Sequence, residues 1–488
     1  MQYISTRDVN ARPVPASRAI KSGMAPDGGL YVPSSFPFYQ PENWAGLDYR
    51  ALAGEIFSLY LTDFDLEEIR ECAESAYADS FPPEVAPCVA VGDAEVLELF
   101  HGPTAAFKDM ALQALPRLLT RSMDKCGDGR KAAVLVATSG DTGKAALEGF
   151  KDVPDVSIIV FYPKDGVSSV QERQMVSTGG ANVAVIGVDG NFDTCQNGVK
   201  SLFSDAALRE LAKAAGFEFS SANSINFGRL LPQIVYYYYG YGKMVEKGRI
   251  KAGDDIQIVV PSGNFGNILA AYYAKRMGLP AARLVCASNV NDVLTEVIQT
   301  GRYSRVRRFY KTTSPSMDIL VSSNFERFLY EMYGRDAAGC AADLKALAEK
   351  GEFIARPSAR EAWGSFLTAG SAKENEVGEA IRRVFQTYGY LLDPHTAVGW
   401  CVMERQDSRL PALLASTASP YKFTEAVLAA LGYETTGSSE SERQGLLSNI
   451  SRTKIPERLV GIEGLPVFHD TCVTRDGMKA AVENFLSL

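Results

Sequence analysis

A lysine behind a rigid, partly apolar loop is the first residue of the chain that could do covalent chemistry. Residues 101–109 (HGPTAAFKD) place Lys108 between an apolar run and a helical pattern. At the carboxyl end of a buried strand, desolvation would lower the pKa of this lysine and make it a nucleophilic amine able to form a Schiff base. A surface lysine that opens a helix is the other interpretation. The neighbouring Gly-Pro pair and Phe107 favour the first.

A glycine-rich turn at residues 261–267 (PSGNFGN) is the second candidate. Gly263 and Gly266 allow a sharp turn that presents backbone N–H groups to an anion at a helix N-terminus. The third glycine of a dinucleotide-binding turn is absent, and no Lys-Ser/Thr pair of a P-loop follows. The pattern therefore indicates a phosphate site of another kind, with a plain tight turn as the alternative.

Two further turns carry polar side chains. In residues 138–143 (TSGDTG), hydroxyls and backbone amides could bind a second anion such as a carboxylate, and Ser139, Asp141 and Thr142 also suit a helix N-cap. In residues 221–229 (SANSINFGR), amides and hydroxyls precede Arg229, whose guanidinium can bind a phosphate through two hydrogen bonds. A surface arginine that closes a loop is the alternative for Arg229.

Each of these turns follows an apolar run and precedes a helical pattern. Helices are expected from about residue 108, after residue 143 and over residues 267–277, and strands over 96–100, 133–137, 156–161, 182–186, 256–260 and 283–287. Continuous apolar strands that alternate with helices predict an α/β fold with a buried, largely parallel sheet. Ligands bind beyond the carboxyl ends of such strands, where all four turns lie.

An N-terminal unit is expected before this α/β region. Helical periodicity covers residues 49–61 and 66–77, and prolines at 82, 83 and 87 then interrupt the pattern. We therefore predict an N-terminal domain over residues 1–90 and a catalytic region of two interleaved lobes over residues 91–488.

For three other segments, the sequence predicts structure but indicates no catalytic or binding role. Residues 236–239 are four consecutive tyrosines within a helical pattern, which indicates core or domain-interface packing. Residues 345–376 are expected to be largely helical and peripheral. Residues 438–443 (SSESER) are expected to form a polar, mobile loop.

Size and charge limit the classes of function. The 488 residues are too many for one ordinary core, and the 46% hydrophobic and 22% charged fractions are those of a globular protein. The net charge of −8 disfavours nucleic-acid and membrane-surface binding. An anionic ligand must therefore be bound locally, by backbone amides and a few placed cations.

Cysteine and histidine usage indicates neither a disulfide framework nor a metal site. The eight cysteines are scattered without a C-x-x-C pair, as reduced and mostly buried thiols would be. None of the three histidines lies at metal-ligand spacing from another. Neither a signal-peptide core nor an apolar run of about 18 residues is present, so a cytoplasmic location is expected.

Together the four turns resemble the threonine synthase family, in the branch shared by many bacteria and fungi. The resemblance runs almost from end to end and is carried as well by residues 3–7, 25–33, 288–292, 393–397 and 416–423. One position departs from the family pattern. Ser419 stands where most members have histidine in a Thr-Ala-His-Pro motif, whereas Thr417 of the same motif is present.

The resemblance implies the pyridoxal-phosphate fold of tryptophan synthase β subunits, with two open α/β lobes, the cofactor between them and an N-terminal domain. It implies a lyase that converts O-phospho-L-homoserine and water to L-threonine and phosphate. A small-molecule substrate and a monomer or homodimer are expected. Lys108 would hold the cofactor as a Schiff base and move protons. The other roles would fall to residues that bind the cofactor phosphate (Gly263, Asn264, Phe265, Gly266, Asn267), the pyridine nitrogen (Thr417), the phenolic oxygen and substrate carboxylate (Asp141, Ser139, Thr142) and the substrate phosphate (Asn223, Ser224, Arg229).

Alternatives remain on the same fold. A related lyase could release 2-oxobutyrate from O-phosphohomoserine, or the chain could deaminate threonine or serine. Arg229 favours a phosphorylated substrate over a plain hydroxy-amino acid. A non-catalytic relative that binds pyridoxal phosphate or an amino acid is the alternative from another class, and the lysine, the glycine-rich turn and the arginine argue against it.

Overall fold

The computed structural model describes residues 1–40, 44 and 46–488. The strands are β1 (Tyr3–Ser5), β2 (Tyr31–Pro33), β3 (Cys88–Val91), β4 (Ala94–Glu98), β5 (Lys131–Ala137), β6 (Val156–Pro163), β7 (Val183–Val188), β8 (Phe217–Ser221), β9 (Ile256–Pro261), β10 (Ala281–Ser288), β11 (Arg302–Ser304), β12 (Glu352–Ile354), β13 (Leu367–Ser371), β14 (Ala412–Ser416) and β15 (Cys472–Val473). The helices are α1 (Ala16–Ser22), α2 (Tyr49–Tyr60), α3 (Leu66–Tyr77), α4 (Lys108–Leu112), α5 (Leu115–Cys126), α6 (Asp141–Phe150), α7 (Ser169–Val176), α8 (Phe192–Ser204), α9 (Ala206–Ala214), α10 (Phe227–Glu246), α11 (Gly266–Arg276), α12 (Val293–Thr300), α13 (Phe325–Met332), α14 (Ala337–Lys350), α15 (Pro357–Gly364), α16 (Glu374–Tyr388), α17 (Pro394–Glu404), α18 (Thr424–Leu431), α19 (Glu440–Ser451) and α20 (Met478–Leu486).

Two sheets form the two α/β lobes. The larger has the order β13-β10-β9-β14-β4-β3, and all neighbours are parallel except β3, which is antiparallel to β4. The smaller, β15-β7-β6-β5-β8, is parallel throughout. Each of the six predicted strands overlaps a strand of these sheets. The predicted α/β fold with two lobes is therefore confirmed.

Burial on both faces explains why the central strands read as unbroken apolar runs. Every residue of β9 is buried, and the strand contacts α11 and α17. β5 is likewise buried from its second residue onward and contacts α6 and α8. Helices that cover both faces of a parallel sheet leave no polar face, so the period-two alternation of a half-exposed strand is missing.

The N-terminal helices begin and pack as their sequences predict. The Asp48 side chain caps α2 by accepting a hydrogen bond from the N–H of Ala51 at 2.8 Å, and Asp65 with Glu68 forms a capping box for α3. α2 packs against both α3 and α10. The four tyrosines at 236–239 are buried in α10, which confirms their predicted place in the core.

One segment prediction holds in part and one was wrong. Residues 345–376 contain α15 and parts of α14 and α16, but they also include β12 and β13, and β13 pairs with β10 at the edge of the larger sheet. Its sequence, LTAGS, has one large apolar residue, too few to give a strand pattern. Residues 438–443 contain the start of α19 rather than a loop, because Ser439 and Glu442 form a capping box. α6 also starts earlier than predicted, at Asp141.

A buried arginine connects the N-terminal unit to the loop that precedes α10. Arg327 donates from Nε to the carbonyl of Tyr31 at 2.9 Å and from Nη2 to the carbonyl of Ile225 at 2.6 Å. Its Nη1 donates to Asn324 Oδ1 at 2.6 Å. Burial lowers the pKa of Arg327 to about 10. Nη1 also donates to the carbonyl of Ser224 at 3.3 Å, so Arg327 fixes the position of a residue that lines the site described below.

The domain boundary near residue 90 stays a prediction; β3, just before it, pairs with β4 of the larger sheet. In the part of the chain that the structure describes, no helix is long and apolar enough to cross a bilayer. Six of the eight cysteines are buried, as predicted, whereas Cys126 is half-buried and Cys472 exposed.

Candidate active site

The four turns identified from the sequence converge at one cleft. β4, β5, β8, β9 and β14 end just before the segments that surround it. The cleft has a volume of about 80 Å³. Of the predicted site residues, its walls include Lys108, Thr142, Asn223, Ser224, Arg229, Gly263, Asn264, Phe265, Gly266, Asn267 and Thr417.

Lys108 is the first residue of α4, and its side chain is 11% exposed. Its Nζ donates to Ser316 Oγ at 3.0 Å and lies 3.7 Å from Asp141 Oδ2. Burial lowers the pKa of Lys108 to about 8; Asp141 opposes the shift, while Lys422 and Arg229 add to it. Part of the population is therefore an uncharged amine near neutral pH, as nucleophilic attack requires.

The glycine-rich turn ends in an unusual backbone conformation. Phe265 has φ of 60°. Its ring is buried, and the ring centroid lies 5.4 Å from that of Phe325 and 5.3 Å from that of Phe328. α11 then begins at Gly266, and the N–H groups of a helix's first turn have no acceptor within the helix. A Cβ on Gly263 would lie 2.6 Å from the carbonyl oxygen of Ser316, so the close approach of that segment requires glycine here.

At this turn, Asn267 supplies a hydrogen-bond donor that has no acceptor among the described residues. Its Oδ1 accepts hydrogen bonds from the hydroxyls of Tyr236, at 2.6 Å, and Tyr237. These bonds orient the amide, and its Nδ2 is buried without a hydrogen-bond partner among the described residues. A buried unsatisfied donor beside free helix N–H groups fits a phosphate group, and the turn can therefore hold the phosphate of pyridoxal phosphate.

Arg229 is the second anion-binding group of the cleft. It is 4% exposed, and Nη1 donates to the carbonyl of Ala222 at 2.9 Å. Its Nε is buried without a partner, and no carboxylate of the described chain forms an ion pair with it. Burial lowers the pKa of Arg229 to about 10. A guanidinium buried without a counter-ion is costly, so this geometry fits an anionic ligand.

Not all of the other residues predicted to bind the substrate lie on the cleft wall. The amide of Asn223 donates from Nδ2 to the carbonyl of Ala137 at 3.1 Å and so joins the ends of β5 and β8. Ser224 and Thr142 lie on the cleft wall. Ser139 belongs to the same turn as Thr142 but is not part of the wall, and its role stays a prediction.

Asp141 lies behind the cleft wall and is buried between two lysines. Its Oδ1 is 2.7 Å from Lys422 Nζ and accepts a hydrogen bond from Gln171 Nε2 at 3.1 Å. Its Oδ2 accepts one from Ser316 Oγ at 3.3 Å. Burial alone would raise the pKa of Asp141, but Lys422 and Lys108 outweigh it and hold the pKa well below its usual range.

Three residues with direct contacts in this network were not assigned from the sequence. Ser316 lies in a short 3₁₀ turn (Pro315–Met317), and its residue type and spacing gave no signal in the sequence. Its backbone N–H donates to His395 Nε2 at 3.3 Å, and His395 Nδ1 lies 2.9 Å from Asp393 Oδ1. His395 and Lys422 lie within segments that carry the family resemblance, but residue type and spacing alone gave them no role.

The segment after β14 contains the predicted pyridine-nitrogen contact. Thr417 is 5% exposed and lines the cleft, and its carbonyl accepts from the N–H of Phe107 at 2.8 Å. Ser419, the position that departs from the expected family pattern, accepts from the N–H of Tyr421 at 3.3 Å and caps a short 3₁₀ turn. The Ser419 side chain thus has a local structural contact.

Comparison with known proteins gives concordant matches along the chain. Family models match at residues 2–77 (threonine synthase N terminus), 96–367 (pyridoxal-phosphate dependent enzyme) and 396–482 (threonine synthase, C-terminal). Threonine synthase of Saccharomyces cerevisiae is 37% identical over 88% of this chain and 89% of its own length; that of Pseudomonas aeruginosa is 38% identical over 88% and 90%. Human threonine synthase-like 1 is 36% identical over 96% of this chain, which spans 63% of that relative's length.

Solved structures agree over the whole chain. The pyridoxal-phosphate-bound threonine synthase of Brucella melitensis superposes with a TM-score of 0.88 at 35% identity, and each chain is covered completely. The yeast threonine synthase gives 0.87 at 33% identity, with 100% of this chain and 99% of the yeast chain covered.

Proposed function

The chain belongs to the threonine synthase family of pyridoxal-phosphate-dependent enzymes, and from that premise we propose that it converts O-phospho-L-homoserine and water to L-threonine and phosphate. The observation that carries the proposal is the presence of two separate anion-binding groups on one cleft with Lys108. The N-terminal turn of α11 suits the cofactor phosphate. The buried Arg229, whose Nε has no partner among the described residues, suits a second phosphate on the substrate.

We propose that residues 263–267 hold the cofactor phosphate, that Lys108 holds the cofactor covalently and that Thr417 donates to its ring nitrogen. Asp141, whose Oδ2 lies 3.7 Å from Lys108 Nζ, would be the residue nearest the phenolic oxygen among those predicted for it. Pyridoxal phosphate, when bound, supplies an electron sink that acidifies the C–H bonds of an attached amino acid. The fit rests on the orphaned Asn267 Nδ2, the free N–H groups of α11 and the lowered pKa of the Lys108 amine.

The Lys108 amine would also carry the protons of the reaction. An amine with a pKa of about 8 can accept a proton from the substrate's Cα near neutral pH and return it later, as general acid–base catalysis requires. Arg229, with Asn223 and Ser224 beside it, would bind the substrate phosphate and stabilise it as it leaves from Cγ. The burial of these groups strengthens the attraction between the guanidinium and the phosphate.

Heavy-oxygen water tests the function directly. Incubated with O-phospho-L-homoserine in H₂¹⁸O, the enzyme should place the label on the threonine hydroxyl and none in the released phosphate. Water adds at Cβ after the Cγ–O bond has broken, so the phosphate keeps its original bridging oxygen. Mass spectrometry of both products measures the label, with an enzyme-free incubation as the control.

The other products define the alternatives. Labelled phosphate together with homoserine would mean simple phosphatase chemistry, and the proposal would be wrong. Release of 2-oxobutyrate without threonine would favour the related lyase. Turnover of threonine or serine, with none of the phosphorylated substrate, would favour a deaminase.

Thr417 should set the electronic character of the cofactor ring. A hydroxyl can donate a hydrogen bond to a neutral pyridine nitrogen but cannot stabilise a pyridinium as a carboxylate would. We expect Thr417→Asp to raise the pKa of the ring nitrogen and to lower the rate of threonine formation at least about tenfold, or about 1.4 kcal/mol in barrier. Side reactions such as transamination should increase, as measured by keto-acid release.

Thr417→Ser is the matched control because it keeps the hydroxyl, and its rate should stay close to that of the parent. If Thr417→Asp, folded and loaded with cofactor, retains the parent's rate and visible spectrum, Thr417 does not contact the ring.

The cytoplasmic location, the absence of nucleic-acid and membrane partners and the monomeric or dimeric state remain predictions.

A further inference from the structure

Lys422 is a second buried lysine beside the cleft, and the roles proposed above do not use it. Its side chain is 1% exposed. Its Nζ lies 2.7 Å from Asp141 Oδ1 and donates to the carbonyl of Thr104 at 2.9 Å. Lys422 itself is not part of the cleft wall, so it acts on the cleft through Asp141.

Asp141 uses its two oxygens for different neighbours. Oδ1 is occupied by Lys422 and by the Gln171 amide, whereas Oδ2 accepts from Ser316 and lies 3.7 Å from Lys108 Nζ. Lys108 Nζ in turn donates to Ser316 Oγ at 3.0 Å. The carboxylate therefore has one oxygen fixed by Lys422 and directs the other towards the Lys108 amine, both directly and through the Ser316 hydroxyl.

Without Lys422, the two oxygens of Asp141 would no longer be divided between two lysines. A buried carboxylate with one cation nearby would turn towards that cation, here Lys108, and pair with it. A direct pair would hold the Lys108 amine charged, and a charged amine is not a nucleophile. With Lys422 in place, the two lysines share the carboxylate, and Oδ2 stays oriented towards the Lys108 amine at 3.7 Å without a close pair.

We propose that Lys422 is a positioning residue of this active site, which holds the Asp141 carboxylate so that its second oxygen orients the Lys108 amine. The inference rests on the proposed function, because it assigns Lys422 to the amine that does the chemistry there. It predicts that Lys422 matters to catalysis only as long as Asp141 is present.

Lys422→Met in the cofactor-loaded enzyme is the first test. We expect kcat to fall about tenfold or more, because a misplaced reacting group is costly, while KM changes less than about threefold. The visible circular dichroism band of the bound cofactor should change in amplitude or sign, since the group that orients its attachment has moved.

A matched control comes from a lysine that is just as buried elsewhere. Lys21 is 2% exposed and pairs with Asp128 at 2.6 Å and Glu218 at 3.2 Å, and it is not part of the cleft wall. Lys21→Met should lower the thermal unfolding midpoint, as the loss of a buried ion-pair partner does, and leave kcat and the visible circular dichroism unchanged.

A double-mutant cycle with Asp141→Asn separates positioning from packing. In the Asp141→Asn background, Lys422→Met should change kcat less than about threefold. The double variant removes both buried charges, so it keeps the test possible if Lys422→Met alone does not fold.

Full multiplication of the two single effects, or an unchanged dichroism band in Lys422→Met, would overturn the proposal. If no variant and no parent protein forms threonine but the dichroism effects hold, the proposed function fails and the positioning role stands.

Discussion

Lys108→Ala should abolish threonine formation and the visible absorption of the covalently held cofactor. Lys108 is the lysine on the cleft wall, its amine has a lowered pKa of about 8, and α4 fixes its position at the carboxyl end of the larger sheet. The loss of both the covalent attachment and the group that carries protons should reduce turnover by several orders of magnitude. Absorption spectra and product formation at saturating pyridoxal phosphate measure the effect.

Lys144→Ala is the matched control, since Lys144 is the other lysine that follows a candidate turn. Lys144 Nζ forms an ion pair with Glu148 and donates to Thr178 Oγ1 at 2.9 Å, and Lys144 is not part of the cleft wall. This variant should keep the cofactor spectrum and the activity. Retention of spectrum and turnover in Lys108→Ala, with loss in Lys144→Ala, would move the attachment site to Lys144.

The sequence predicted the strand–turn–helix units well because each is a local pattern. The run IQIVV, the turn with Gly263 and Gly266 and the helix after it predicted β9, the loop and α11 within one or two residues. The convergence of four such turns on one cleft follows from the parallel order of the strands, since their carboxyl ends share an edge. The fold class and most of the cleft wall could therefore be predicted.

Contacts between segments that are far apart in the sequence could not be predicted. Ser316 contacts Lys108 across 208 positions of sequence, and Lys422 contacts the carbonyl of Thr104 across 318. No local periodicity encodes such a contact. The same reason explains the contacts of Asp141 with Lys422 and Lys108. Its predicted place beside the cofactor stays a prediction. β13 was missed because the edge of the sheet does not require a long apolar run.

Arg229→Ala should weaken use of the phosphorylated substrate far more than binding of the cofactor. Arg229 is 4% exposed and its Nε is buried without a partner among the described residues. Its guanidinium donates from Nη1 to the carbonyl of Ala222. A phosphate that loses a charge-assisted contact of this kind loses roughly 2–4 kcal/mol when both groups are desolvated. We therefore expect kcat/KM for O-phospho-L-homoserine to fall about thirtyfold or more.

Arg229→Lys separates charge from geometry, because an ammonium keeps the charge but cannot form two parallel hydrogen bonds to one phosphate. It should recover part of the lost kcat/KM and leave cofactor affinity unchanged. Inhibition by inorganic phosphate gives a second measurement: it should weaken in Arg229→Ala in proportion to kcat/KM, since product phosphate would occupy the same group. If cofactor affinity collapses in Arg229→Ala while substrate kinetics stay normal, the two phosphate sites are interchanged, and the turn that begins α11 binds the substrate instead.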